Sequence, residues 1–542
     1  MAPMRLRLSL LLPLLVSACG GALTDATDDG VVTPTTAPAC ARTPSAPLVA
    51  IDDVRRGSAQ LGPCGDLAYE KPDGSVWLRT AAGESVELAS QGAFGGFDAT
   101  GTYAAFRRGE ERWLRDLTLG TELAVPEQAR FGLDPATNTP LVFVVDDGVR
   151  LVEDGHVGAP IPGTSGLLYR EHASYGDIVM MLDDQGGALT FVDLVREAAV
   201  PAAVEFRSNP GWKSTGPWRD DDLAMSRDGS VALYAAVTWT ACGDTACPEG
   251  DGFDILDAHT GEVLDHGGAG HAPLAYAFAF DEQRANSLVD ARGNSIDTKT
   301  GAYVARDDAS LVRLQENGTL VLSRSDRAGT RVTLGHAGQA SESTWLTTAT
   351  PSSSVVAWPS GRRSAVLEPA HEVKVSDGAG TWGGAEYGDL VLRDDDGAES
   401  SRVAACTSVN ESIFPGDGSA VLAVVRYPSS PPAAVASSDE LGLVGAIVKV
   451  APDGSSTILA GDERGSAKLF AIDERSFAAQ VDGSDGRSTL RIYDVATGAV
   501  RAEFEAGALH ALGPAWAAPT GVLAAEEPLD DTSTLWHGVP AP

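Results

Sequence analysis

Basic residues are scarce in this 542-residue chain. Lys and Arg together number 40 against 75 Asp and Glu, only six of the 40 are lysine, and the formal net charge is −35. Duplex binding needs clustered cations that displace counterions, so the balance excludes a nucleic-acid partner. It equally excludes docking on an anionic bilayer through basic residues. Cysteine is also sparse, with six residues at Cys19, Cys40, Cys64, Cys242, Cys247 and Cys406. There is no G-x-S-x-G, no H-E-x-x-H, no G-x-x-x-x-G-K-[ST] and no spaced calcium loop, so no local motif of hydrolase, metalloprotease, nucleotide or EF-hand chemistry is present. Beyond the N-terminus no apolar stretch approaches 18 residues, and helical periodicity over a dozen residues is rare.

What is abundant is glycine, 60 residues in all, with an apolar fraction of 43%. That composition is too apolar for a wholly disordered chain and favours turns and strands over long helices. The length exceeds one ordinary domain.

Residues 1–18 have the layout of an export signal: Arg5 and Arg7, then the short apolar run Leu8 to Val16, then Ser17 and Ala18. The apolar run is too short to span a bilayer. The string Val16-Ser17-Ala18-Cys19 resembles the lipobox of bacterial lipoproteins. The resemblance implies that Cys19 carries acyl chains and becomes the mature N-terminus. Gly20, where Asp would imply retention at the inner membrane, implies the outer membrane. The alternative is an ordinary signal cut near Ala18, which leaves Cys19 a plain thiol. Cleavage removes two arginines and no acid, so the mature chain is more acidic still. Residues 19–47 are rich in Thr, Pro and Ala, cannot bury enough surface to offset ordering entropy, and are expected to form an extended tether.

From residue 48 to 542 the texture is uniform: apolar runs of four to eight residues between Gly, Asp, Asn and Pro turns. This predicts an all-β body. A unit recurs within it. Its first half is a turn followed by an apolar strand, as in MSRDGSVALYAAV from Met225, FPGDGSAVLAVV from Phe414 and GFDATGTYAAF from Gly96. Its second half is a strand ending in a polar turn, as in FDILDAHTGEVL from Phe253, NSIDTKTGAYV from Asn294 and LRIYDVATGAV from Leu490. Asp-Gly, Asn-Gly and Thr-Gly turns supply the positive φ that tight reversals need. These halves resemble the WD-like repeats of bacterial β-propellers of the Tol-system type, with the usual proline before Asp-Gly replaced by Arg227 or Gly416. The resemblance implies a β-propeller of four-stranded blades; it transfers no partner or active site.

Ten candidate unit starts lie near residues 65, 96, 131, 167, 223, 274, 312, 355, 413 and 469. At blade lengths of about 40–50 residues they cannot all be separate blades, so seven or eight blades are expected, eight preferred. Apolar stretches at Leu48 to Ile51 and Val522 to Ala525 are placed to close the ring from both ends.

An exported chain meets oxidising conditions. Cys242 and Cys247 bracket a Gly-containing turn and suit a local disulfide; Cys40 and Cys64 are a second candidate pair joining tether and body. Cys406 is then a buried free thiol. His259, His266 and His271, near Asp257 and Asp265, are the closest histidine group. His259 sits where the repeat already calls for a polar turn residue, so no metal and no cofactor are expected. Asp220-Asp221-Asp222 and the other acidic runs read as solvated turns.

The aromatic loop from Asn209 to Asp222 is the candidate binding rim, with Trp212, Lys213, Trp218, Arg219 and Asp220, and with Trp239 nearby. The competing reading packs these tryptophans between blades. The expected function is a non-enzymatic, membrane-anchored extracytoplasmic scaffold for an envelope protein or glycan. It is tethered to the bilayer by N-terminal acyl chains and is a monomer. The rival is an envelope glycan lyase or hydrolase with carboxylates at the propeller's central channel, since such sites draw on separate blades and leave no local motif. A third option is an adaptor without a ligand.

Overall fold

The computed structural model describes residues 47–539 with interruptions, the longest at 206–220 and 268–281. The described residues are all-β apart from one short 3-10 helix, Ser438–Leu441. Among the described residues no helix is long and apolar enough to cross a membrane. Nine four-stranded antiparallel sheets, one eight-stranded sheet and a separate two-stranded hairpin account for the strands of the described residues.

Most sheets are simple meanders over a short stretch of chain, for example Gln60–Leu61 through Ser85–Ala89 and Gly92–Phe97 through Glu122–Val125. One sheet interrupts its meander with the hairpin of Thr238–Cys242 and Thr245–Glu249. The eight-stranded sheet divides in two along its long strand Glu399–Ile413. The first part of that strand pairs with Thr381–Arg393 and the second with Ala420–Arg426, and Cys406 is paired on both sides. Counted this way, the described residues form eleven four-stranded units. The sequence-based expectation is seven or eight blades. Unit length varies with strand length: the unit from Glu282–Arg284 to Tyr303–Val304 uses strands of two or three residues, so its four strands occupy little chain.

The two ends of the described residues meet. Val49–Arg55 pairs antiparallel with Thr532–Gly538, which pairs with Leu523–Pro528. One sheet is thus built from both ends of the described residues, as the sequence predicts, with Val49–Arg55 as one of its edge strands.

The repeated second-half motif explains its own turns. In Asp116, Asp257, Asp297 and Asp494 the carboxylate accepts backbone N–H groups two or three residues on, from Thr118 and Leu119, His259 and Thr260, Lys299 and Thr300, and Thr497. The glycine four residues on donates to the carbonyl of the same Asp, at 2.7–2.8 Å in each case. All four glycines, Gly120, Gly261, Gly301 and Gly498, have φ near +70°. A side chain there is strained.

Packing is face to face in sequence order. Along Thr319–Asp326, Leu320 and Leu322 pack with Val289 of the preceding unit, whereas Val321 packs with Val366 of the next. Ile178 and Met180 likewise face one neighbour and Val179 and Met181 the other. Middle strands have two buried faces, which is why they read as continuous apolar runs and not as alternating ones. The seam repeats the pattern: Val54 and Leu535 pack on Leu67 and Tyr69 of the first complete unit, and Ala525 and Trp536 pack on Leu490 and Ile492 of the last. The body is β-propeller-like.

Cys406 is a buried free thiol, and burial pushes its pKa up to about 11. At pH 8 only about one thiol in a thousand is then thiolate. Native protein exposed to iodoacetamide is expected to leave the Cys406 peptide unmodified, and labelling should appear only after denaturation. Peptide mass spectrometry checks this; rapid native labelling contradicts the burial. Cys64 is buried and disulfide-bonded.

Candidate functional site

Arg306 lies in the link between two units, with its side chain only 2% exposed. A guanidinium so placed must have its donors satisfied. Its Nη1 donates to the carbonyl of Gly293 and to Ser295 Oγ, and its Nη2 to the carbonyls of His336 and Gln339. Its Nε donates to Glu342 Oε1 at 3.0 Å. Arg324 approaches the same carboxylate with Nη1 at 2.6 Å and Nη2 at 3.0 Å, and Thr333 Oγ1 donates to it at 2.7 Å. Burial alone opposes ionisation of Glu342. Hydrogen bonds from Arg324, Thr333 and Arg306, with the charge of Arg324, outweigh it and hold the pKa at about 2.

This network underlies an open polar cleft of about 480 Å³. Its walls come from the turn around Asn317, from strands Gly329–His336 and Gln339–Thr347, and from Gly361 and Arg362 of the next unit. Gln315 ties the two units together: its Nε2 donates to the carbonyls of Trp358 and Gly361. Asn317 Oδ1 accepts the Thr319 N–H and fixes the turn. At the rim are the side chains of His336, Ser341, Ser343 and Arg362, all exposed. Among the described residues none of these four side chains has a polar partner, so they are available to a ligand. Glu342 is the one acid in the lining, and both its oxygens are committed. The arrangement offers a rigid floor and a rim of hydroxyl, imidazole and guanidinium groups. It suits recognition of a polar, hydroxyl-bearing ligand.

The sequence-derived rim does not coincide with this cleft. Trp212, Lys213, Trp218, Arg219 and Asp220 lie outside the described residues, as do Cys19 and Cys40. Trp239, Cys242 and Cys247 are on the inserted hairpin, with Trp239 opposite Pro248, Cys242 opposite Thr245, and Cys247 opposite Thr240. The cleft residues were missed because they are single polar residues from separate strands and turns, with no shared spacing. Arg306 sits in the charged link Ala305-Arg306-Asp307-Asp308-Ala309, and nothing in that string marks its side chain as buried.

The histidine group expected from the sequence is dispersed. His266 Nδ1 pairs with Asp254 Oδ1 at 2.6 Å at the surface, and Asp265 Oδ2 accepts the backbone N–H of Tyr303. His271 lies outside the described residues. His259 turns instead toward Asp193 of the preceding unit, Nδ1 to Oδ2 at 3.5 Å, beside Asp177.

No family model matches this chain, and no curated protein matches it. Among solved structures it is similar to dipeptidyl peptidase 4 of Porphyromonas gingivalis, at 10% identity and a TM-score of 0.35, covering 84% of this chain and 60% of that one. It is also similar to a structure from work on two prolyl endopeptidases, at 9% identity and a TM-score of 0.30, covering 85% of this chain and 52% of that one. The chain spans between half and two thirds of those proteins' length. Neither likeness bears on activity.

Proposed function

We propose that this chain is an extracytoplasmic lipoprotein whose body is a non-enzymatic binding scaffold. Residues 1–18 are the export signal, Cys19 is the lipidated N-terminus in the outer membrane, and residues 19–47 are the tether, with Cys40 bonded to Cys64. Residues 48–542 are a β-propeller in which each four-stranded unit is a blade. Eleven blades are closed by the sheet made from both termini, and consecutive apolar interfaces around the chain support that closure. The occupant of the cleft is an envelope glycan or a polar protein segment, held without chemical change.

One observation carries the choice of binding over catalysis. Glu342, the acid in the cleft, accepts four hydrogen bonds and stays ionised far below neutral pH. A general acid or base needs a pKa near the working pH and a free lone pair or proton. Glu342 has neither, so it shapes the floor and does not transfer protons.

Fractionation of cells carrying Cys19→Ala tests the anchor: the protein is expected in soluble extracytoplasmic fractions, and continued membrane association contradicts lipidation. For the scaffold, immobilised mature protein should capture envelope material and Arg362→Ala should capture about tenfold less, the loss of a charge-assisted hydrogen bond of about 1.4 kcal/mol. Equal capture by both removes the cleft from the account.

A further inference from the structure

The turn Gly176-Asp177 is held from both sides. Leu133 N–H of the preceding unit donates to the Gly176 carbonyl at 2.5 Å, and Leu194 N–H donates to the Asp177 carbonyl at 2.8 Å. The side chain of Asp177 is thereby fixed in place at 5% exposure, and its Oδ1 is buried with no hydrogen-bond partner. A buried carboxylate oxygen without a partner is costly. The comparable Asp66, which also follows a positive-φ glycine and precedes the second strand of its sheet, accepts the Ala81 N–H on its Oδ1 at 2.9 Å. Asp177 therefore lacks a partner that its fold position elsewhere supplies.

Two further donors converge on it. Asp193, 2% exposed, ends strand Ala188–Asp193, and His259 belongs to the polar turn of the next unit. One ligand atom from each of Asp177, Asp193 and His259 lies within 4.8 Å of the others. His259 Nδ1 is buried and without a hydrogen-bond partner, and stands 3.5 Å from Asp193 Oδ2. Two ligands at about 2.0–2.2 Å from a tetrahedral zinc ion are about 3.4 Å apart. The surrounding charges are Arg196, whose Nε is 3.5 Å from Asp193 Oδ2 on a side chain 67% exposed, and Asp134. Asp134 spends its oxygens on Ala136 N–H, Thr137 N–H and Thr137 Oγ1. Arg196 can swing into solvent. An Asp193–imidazolium pair alone would leave Asp177 unsatisfied, whereas a dication neutralises both carboxylates at once.

We propose that Asp177, Asp193 and His259 hold a divalent metal ion of the zinc class that clamps the unit of 167–205 to the unit of 221–267. Imidazole with two carboxylates suits zinc or a similar transition metal, and too few oxygens converge for calcium. Three protein ligands leave a further coordination position for solvent.

The test uses the full mature protein stripped with chelator, then dialysed against zinc alone. The wild type is expected to retain one zinc per chain and to gain thermal stability from it. Asp177→Asn and His259→Gln should each bind at least about tenfold more weakly and lose the metal-dependent rise in Tm. In chelator, Asp177→Asn should be at least as stable as the wild type, because it removes an uncompensated buried carboxylate. Its loss of zinc then reflects lost ligation. Should Asp177→Asn fail to fold, His259→Gln, altered at a partly exposed side chain, decides the matter. Zinc retained equally by wild type and His259→Gln, or a wild-type Tm indifferent to zinc, overturns the proposal.

Discussion

Acidification from pH 6.5 to pH 4 is expected to cost about 3 kcal/mol at the seam where the ends meet, and a His537→Gln variant is expected to lack that contribution. His537 lies in the closing strand Thr532–Gly538, is fully buried, and its ring Nε2 donates to the Gly65 carbonyl at 2.8 Å. Burial is the main cause that lowers its pKa from 6.5 to about 4. Between those values the unfolded chain binds a proton that the folded chain refuses. Stability is therefore complete above pH 6.5 and falls as the pH drops toward 4. Gln can keep the donor to Gly65 without titrating. Thermal unfolding at pH 7, 5.5 and 4 checks the result; parallel curves for the two proteins would remove His537 from the seam's acid response. Glu342 acts lower: its contribution is present above pH 4.5 and is lost only as the pH falls toward about 2.

The second large effect is at Arg306. Arg306→Met should destabilise the protein by about 3–5 kcal/mol, the range for removing one partner of a buried ion pair. The change strands the carbonyls of Gly293, His336 and Gln339 and takes one donor from Glu342. Arg306→Lys should recover little, since one ammonium cannot span acceptors spread around a planar fork. Denaturant titration measures the loss. A loss below about 1 kcal/mol would place Arg306 among ordinary surface cations.

The repeat was more legible than its count. Nine of the ten unit starts read from the sequence fall within or no more than four residues from the first strand of a four-stranded unit, and the eleventh unit is the one made from both termini. The length of a unit is harder to read than its start. Strands such as Tyr303–Val304 are too short to show any periodicity, and the shared strand Glu399–Ile413 hides a boundary. The turns were legible because each is local: Asp257 caps the N–H groups of His259 and Thr260 within its own loop. Sites were not, because their parts come from different units. His259 stood out in the sequence, but its neighbours in space, Asp177 and Asp193, belong to the preceding sheet and look like ordinary turn residues.

The central claim, a cleft that binds without reacting, is tested most directly by incubating the mature protein with fragmented envelope glycans and analysing the bound and free material by mass. The account predicts retention by the wild type, loss in Arg362→Ala, and bound glycans recovered at unchanged mass. Glycans shortened or unsaturated in a protein-dependent way would contradict it and favour the enzyme.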